Sequence, residues 1–137
     1  MDTEKAYKRY QAYHSAVMAG AVASCHDLSD GGLAVALAEC SFGKEGLGAK
    51  VTLESDMSRE HLLFHEGPSR ILVSTVDPEA VEMIAARHNI PALVIGETQA
   101  GVLSIANRGV RLVDIPVGSL KQRWESALPA MLRGEHV

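Results

Sequence analysis

Apolar positions recur along the chain with two periods, one near 3.6 residues and one near 2, and the switches between them mark its elements. Residues 4–19 read as a helix: Tyr10, Tyr13, Val17 and then Ala21 fall at helical spacing, opposite Lys5, Lys8 and Arg9, and Gly20 suits the position just past its end. Ala21–His26 is a short apolar run that reads as a buried strand, and Asp27–Asp30 as a turn. Residues 31–42 are apolar nearly all round, with Glu39 the one charge, which predicts a buried helix. Glycines at 43, 46 and 48 mark a loop, Lys50–Glu54 alternates as a strand, and Ser58 caps a short helix through Phe64. Arg70–Val76 is β-branched and strand-like. Asp77-Pro78 is a strong helix start, with Val81, Ile84, Ala85 and His88 on one face and Asn89 and Pro91 at the end. Leu93–Gln99 and Val102–Ala106, joined at Ala100-Gly101, read as a hairpin, followed by a strand over Val110–Ile115. Leu120, Trp124, Leu128 and Met131 outline a last helix, interrupted or kinked near Pro129, with Trp124 as its core anchor.

This order predicts an α+β fold, a mixed β-sheet with helices packed on it, in a single domain over residues 1–137. At 137 residues the chain is long enough to bury a core without staples. Apolar runs are far too short for a membrane helix, and no cationic, apolar, small-residue leader opens the chain, so a signal peptide is not expected. A net charge of −4 and 4% aromatics give no pull toward nucleic acid and no stacking platform for single strands. The expected location is cytoplasmic. Cys25 and Cys40 form no C-x-x-C pair and read as reduced, partly buried thiols.

The most informative stretch is Ser24-Cys25-His26-Asp27-Leu28-Ser29-Asp30-Gly31-Gly32-Leu33, a strand that turns and opens a helix at two glycines. Free N–H groups at a helix start favour an anion, and Gly31 and Gly32 carry no side chain to block a phosphate or carboxylate. Ser29 or Asp30 suits the N-cap, but no capping box is available, because glycine falls three residues on. His26, Asp27 and Asp30 crowd the same mouth, which calls for a cation or for ligand N–H and O–H donors. The plainer alternative is a capped helix after a tight turn. Glu66-Gly67-Pro68-Ser69-Arg70 is a second polar turn, and it presents a hydroxyl and a guanidinium suited to phosphate or carboxylate. The Gly43–Gly48 loop lacks the ending of a phosphate loop, and His61 with His65 lacks a third ligand, so these read as a turn and a solvated helix edge. Cys25 next to His26 is not a nucleophile and base, since neighbours on a strand point to opposite faces.

His26-Asp27-Leu28-Ser29-Asp30-Gly31-Gly32-Leu33, with the following Ala34–Cys40, resembles the C-terminal domain of phosphoribosylformylglycinamidine synthase. Leu63-Phe64-His65-Glu66-Gly67-Pro68-Ser69-Arg70, Ile95-Gly96-Glu97 and the segment from Leu120 to Leu128 resemble its later blocks, so the likeness covers nearly the whole chain. Aminoimidazole ribonucleotide synthetase and its relatives share the architecture but differ at the turn. The resemblance implies an ATP- and glutamine-dependent ligase of purine biosynthesis, which converts formylglycinamide ribonucleotide to the amidine. It also implies that this chain is the C-terminal fragment of that ligase, inactive alone. ATP and Mg are expected to bind mainly outside it, in a missing N-terminal ATP-binding domain, with a glutaminase domain or subunit as ammonia source. Substrate-binding residues carried over are His26, Asp27, Ser29, Asp30, Gly31, Gly32, Ser69 and Arg70; no catalytic or metal-ligating residue is assigned. Faces that pack on the missing domain should be partly apolar, which makes a homodimer an expectation for the chain alone. The alternatives are a domain from a sister ATP-dependent enzyme, or a non-catalytic anion-binding or docking module.

Overall fold

The computed structural model describes residues 3–43 and 46–134. Its elements run α1 (Thr3–Met18), β1 (Ser24–Asp27), α2 (Gly32–Cys40), β2 (Leu47–Leu53), α3 (Arg59–Phe64), β3 (Ile71–Ser74), α4 (Pro78–Arg87), β4 (Gly96–Ala100), β5 (Val102–Asn107), β6 (Val110–Pro116) and α5 (Val117–Leu132). Helices and a mixed sheet make this an α+β fold, as expected. The chain divides into two compact units, one holding the chain up to Ala36 together with Leu63–Val94, the other Leu37–Leu62 together with the chain from Ile95 onward.

In the first unit β1 pairs antiparallel with β3, in the register Ser24↔Ser74, Cys25↔Val73, His26↔Leu72 and Asp27↔Ile71. Helices α1 and α4 pack together. The buried stripe of α1 is Ala6, Ala12 and Ala16, not the tyrosine face, and Tyr10 and Val17 are exposed. Small side chains let α1 come close to Ala85, the buried residue of α4, and Ser15 Oγ and His88 Nε2 lie 3.2 Å apart. The caps follow the sequence. Asp77 accepts the Ala80 N–H at 3.0 Å ahead of Pro78. Past α1, Ala21 N bonds Ala16 O and Gly20 N bonds Val17 O; past α4, Ile90 N bonds Ala85 O and Asn89 N bonds Ala86 O. Both ends are Schellman motifs, with Gly20 and Asn89 in the left-handed position.

Two expectations fail in this unit. Ala21–His26 is not a buried strand: β1 starts at Ser24, and Cys25 is exposed, because a two-stranded ladder leaves much of its surface uncovered. Cys40, at the end of α2 and in the second unit, is exposed as well.

In the second unit the strand order is β4-β2-β5-β6. The expected hairpin of Leu93–Gln99 with Val102–Ala106 does not form. β2 lies between β4 and β5, antiparallel to the first and parallel to the second. The apolar pattern decides this: the register sets buried Val51 beside Ile105, whereas β4 (Gly-Glu-Thr-Gln-Ala) is polar and suits an edge. The hairpin is instead β5–β6, turning at Arg108-Gly109, where φ values of 49° and 77° match a type I′ turn. Ile105 and Leu103 on β5, Val51 on β2 and Val117 at the start of α5 are buried. Helix α5 runs on through Pro129, which lacks the N–H that would donate to the Glu125 carbonyl, and ends three residues later at Leu132. Trp124 is not a core anchor; it stacks at a tilt on Phe42, with ring centroids 5.8 Å apart, and stays 57% exposed.

Candidate functional site

All eight candidate residues belong to the first unit, and the β1–β3 ladder brings their two blocks together. Beyond Asp27↔Ile71 the pairing continues with Leu28 N donating to Arg70 O at 2.9 Å. The chain therefore leaves β1 into the Ser29–Gly32 turn next to the point where Ser69 and Arg70 enter β3. Leu28 is buried beneath this junction, and Asp27, Ser29 and Asp30 are exposed around it. His26 is half-buried, and its Nδ1 donates to the carbonyl of Asp27 at 2.6 Å, which places a proton on that nitrogen. Ser69 holds a left-handed backbone, φ 61°. Arg70 reaches back to the His65 carbonyl at 3.5 Å, and Arg9 of α1 donates to the Pro68 carbonyl at 3.2 Å.

The two glycines of the turn serve the fold first. Gly31 and Gly32 have φ of +79° and +63°, a region that side chains disfavour. A Cβ on Gly32 would stand 2.7 Å from the Phe64 carbonyl carbon and 2.9 Å from its Cα, so the backbone at the end of α3 fills the space that a side chain would need. The donor at the helix start is engaged as well: Gly31 N donates to Glu66 Oε1 at 2.9 Å. Glu66 is the residue that sequence reasoning missed. The signal was present, since a turn without its own capping-box carboxylate leaves a donor to be satisfied from elsewhere.

Cys25, one residue from His26, shares a hydrogen bond with Tyr13, with Oη and Sγ 2.8 Å apart. That bond is the main cause raising the Tyr13 phenol above its ordinary 10.0, with desolvation and the charge on Cys25 adding to it. The folded state thus holds this proton more tightly than the unfolded chain does. Its contribution to stability is complete below pH 10.0 and is lost as pH rises through the folded value. Ultraviolet titration of phenolate should show a late component above that value, and Tyr13→Phe should remove it; a curve unchanged by the substitution would contradict the contact.

Among the described residues no group of three or more His, Cys, Asp or Glu is placed to hold a metal ion. Among the same residues no helix is long and apolar enough to cross a membrane.

A β-ladder that ends in a Ser-Asp-Gly-Gly turn opening a helix, in a chain that also forms a mixed sheet with one parallel pair, defines the class as a small α+β protein with polar side chains gathered at that turn. The chain belongs to the family described as AIR synthase related protein, C-terminal domain, whose model matches residues 1–106. It is 43% identical, over 129 residues, to the phosphoribosylformylglycinamidine synthase subunit PurL of Lactobacillus delbrueckii subsp. bulgaricus; the match takes in 93% of this chain and 17% of that protein. Among solved structures it is similar to T. maritima PurL complexed with FGAR, at TM-score 0.74 and 26% identity, over 85% of this chain and 21% of that one. T. maritima PurL complexed with ATP matches at TM-score 0.72 and 27% identity, over 83% and 21%. The chain thus spans about a fifth of the length of these relatives.

Proposed function

We propose that this chain is the substrate-binding C-terminal domain of phosphoribosylformylglycinamidine synthase, the ATP- and glutamine-dependent ligase of purine biosynthesis. The observation that carries the reading is the junction of the two sequence blocks. His26–Gly32 and Ser69–Arg70 lie some forty residues apart in the chain, yet the β1–β3 ladder and the Leu28–Arg70 bond make them one surface. The 43% identity to a PurL subunit, and the likeness to a PurL complexed with FGAR, support the substrate class.

In this reading the ribonucleotide phosphate lies against the helix start, where the α2 dipole favours negative charge. Arg70 adds a fixed positive charge, and His26, Asp27, Ser29, Asp30 and Ser69 supply polar groups for the sugar and the formylglycinamide arm. ATP, with its magnesium, binds in the part of the ligase N-terminal to this domain and activates the amide oxygen. Ammonia, released from glutamine by a glutaminase domain or subunit, then displaces phosphate and leaves the amidine. This chain's part is to bind and orient, so alone it is inactive. It works in the cytoplasm, as a single domain of the larger protein. Exposed apolar residues such as Tyr7, Met18 and Leu128 support self-association as a homodimer once the chain is separated from its neighbours.

The test is an amide NMR titration of the chain with formylglycinamide ribonucleotide, with ribose 5-phosphate as control. Both ligands should shift Ser29–Leu33, and the full ribonucleotide alone should also shift Ser69 and Arg70. Robust ATP hydrolysis by the pure chain, or shifts confined to other residues, would overturn the reading.

A further inference from the structure

A second polar cluster lies away from the Ser29–Gly32 turn, where α1 packs on α4. Tyr10 and His14 are four residues apart on α1, as are Gln11 and Ser15, so all four share one side of that helix. Together with His88 they line a cleft of about 330 Å³. His88 caps the C-terminus of α4, and its Nε2 lies 3.2 Å from Ser15 Oγ in a half-buried contact. Ser15 falls in the last turn of α1, which ends at Met18, so two helix C-termini meet at this cleft. Each carries partial negative charge, which favours a cation. Among the described residues that line the cleft there is no Lys or Arg to oppose one.

We propose that this cleft binds a divalent transition-metal ion of the Zn²⁺ type, with His14 and His88 as its nitrogen ligands. Neutral imidazole is the side chain these ions most often choose. In the tautomer protonated at Nδ1, His88 Nε2 accepts the Ser15 hydroxyl, so its lone pair faces the α1 side of the cleft. The hydroxyl turns about a single bond, and an ion takes its place at little cost. His14 is exposed, so its ring can swing over the cleft without uncovering core. The Gln11 amide oxygen and the Ser15 hydroxyl are the nearby oxygen donors, and water completes the shell. With two imidazoles and no thiolate or carboxylate, the site is weaker than a closed structural zinc site with four protein ligands. It discriminates against Mg²⁺, which prefers oxygen ligands and gives up water reluctantly. A bound ion joins α1 to α4 and therefore stabilises the first unit.

The test titrates Zn²⁺, with Mg²⁺ as the hard-cation control, into the untagged labelled chain, followed at the histidine ring resonances. The His14 and His88 rings should shift together and saturate, and Mg²⁺ should move neither. His14→Ala leaves the Ser15–His88 contact in place and alters an exposed position, so it should fold as the native chain does. It should weaken Zn²⁺ binding about tenfold or more, since even the residues that only orient a metal's ligands cost that much when removed. Zn²⁺ should also raise the urea midpoint of the native chain and leave that of His14→Ala unmoved. His88→Ala should weaken binding in the same way, with its fold checked at the amides of α1 and α4; if it does not fold, His14→Ala decides alone. Unchanged affinity in His14→Ala, ring shifts confined to His26, His61 or His65, or no saturable shift at all would each overturn the site.

Discussion

Alanine in place of Gly32 is expected to lower the stability of the chain by about 3 kcal/mol or more. Part of this is conformational: at φ +63° an L-residue costs roughly 1–2 kcal/mol relative to glycine. The rest is steric. The new methyl would face the carbonyl carbon and Cα of Phe64 and the carbonyl oxygen of His65, at 2.7, 2.9 and 3.0 Å. These are backbone atoms and cannot rotate away. Relief requires the start of α2 to withdraw from the loop, which loosens the packing around buried Leu33 and Leu63 and breaks the Glu66 contact. Gly20→Ala is the control, because Gly20 has a similar φ of +71° with nothing within 4 Å of the added carbon. Its cost should be the conformational part alone, about 1–2 kcal/mol. Urea midpoints of the two variants decide the matter; equal losses would remove the steric argument.

The other large effect lies in the four-stranded sheet. Ile105 is 0% exposed, and β5 is flanked by Val51 of β2 on one side and Val113 of β6 on the other. Ile105→Ala removes three carbons where the neighbouring strands are held by ladders on both sides, so the site collapses poorly. The expected cost is about 3–5 kcal/mol, with Ile105→Val near 1 kcal/mol. Chemical denaturation with linear extrapolation measures both. A loss under about 1 kcal/mol for Ile105→Ala would mean that β5 is not the centre of this core.

What could be read from the sequence divides by range. Signals written within a few residues held: the Asp77-Pro78 start of α4, the glycine after α1 and the asparagine after α4 all act through local backbone hydrogen bonds. Strand pairing is not written locally. Ala100-Gly101 looks like a hairpin turn, but the partner that satisfies apolar β5 is β2, from far upstream. Arg108-Gly109, which does turn a hairpin, has no proline or asparagine to advertise it. Burial was overestimated for Cys25 and Trp124 because apolar character says only that a residue can be covered, not that a neighbour is there to cover it. At the candidate site the two blocks were legible as motifs, and their meeting follows from a ladder that neither block encodes. Glu66 sat inside a quoted motif, yet its role became visible only once Gly31 was known to need an acceptor.

The place of β2 between β4 and β5 also bears on how the protein is made. Its parallel pairing joins residues more than fifty positions apart, such as Ala49 and Leu103. On a ribosome adding roughly 5–20 residues per second, β2 emerges several seconds before either neighbour exists. For that interval the edge that Val51 will later bury is open to any other strand in reach. The β5–β6 ribbon, by contrast, closes as soon as it is synthesised. Leu47–Leu53 is therefore a vulnerable stretch of the nascent chain, and a holding chaperone would find it there.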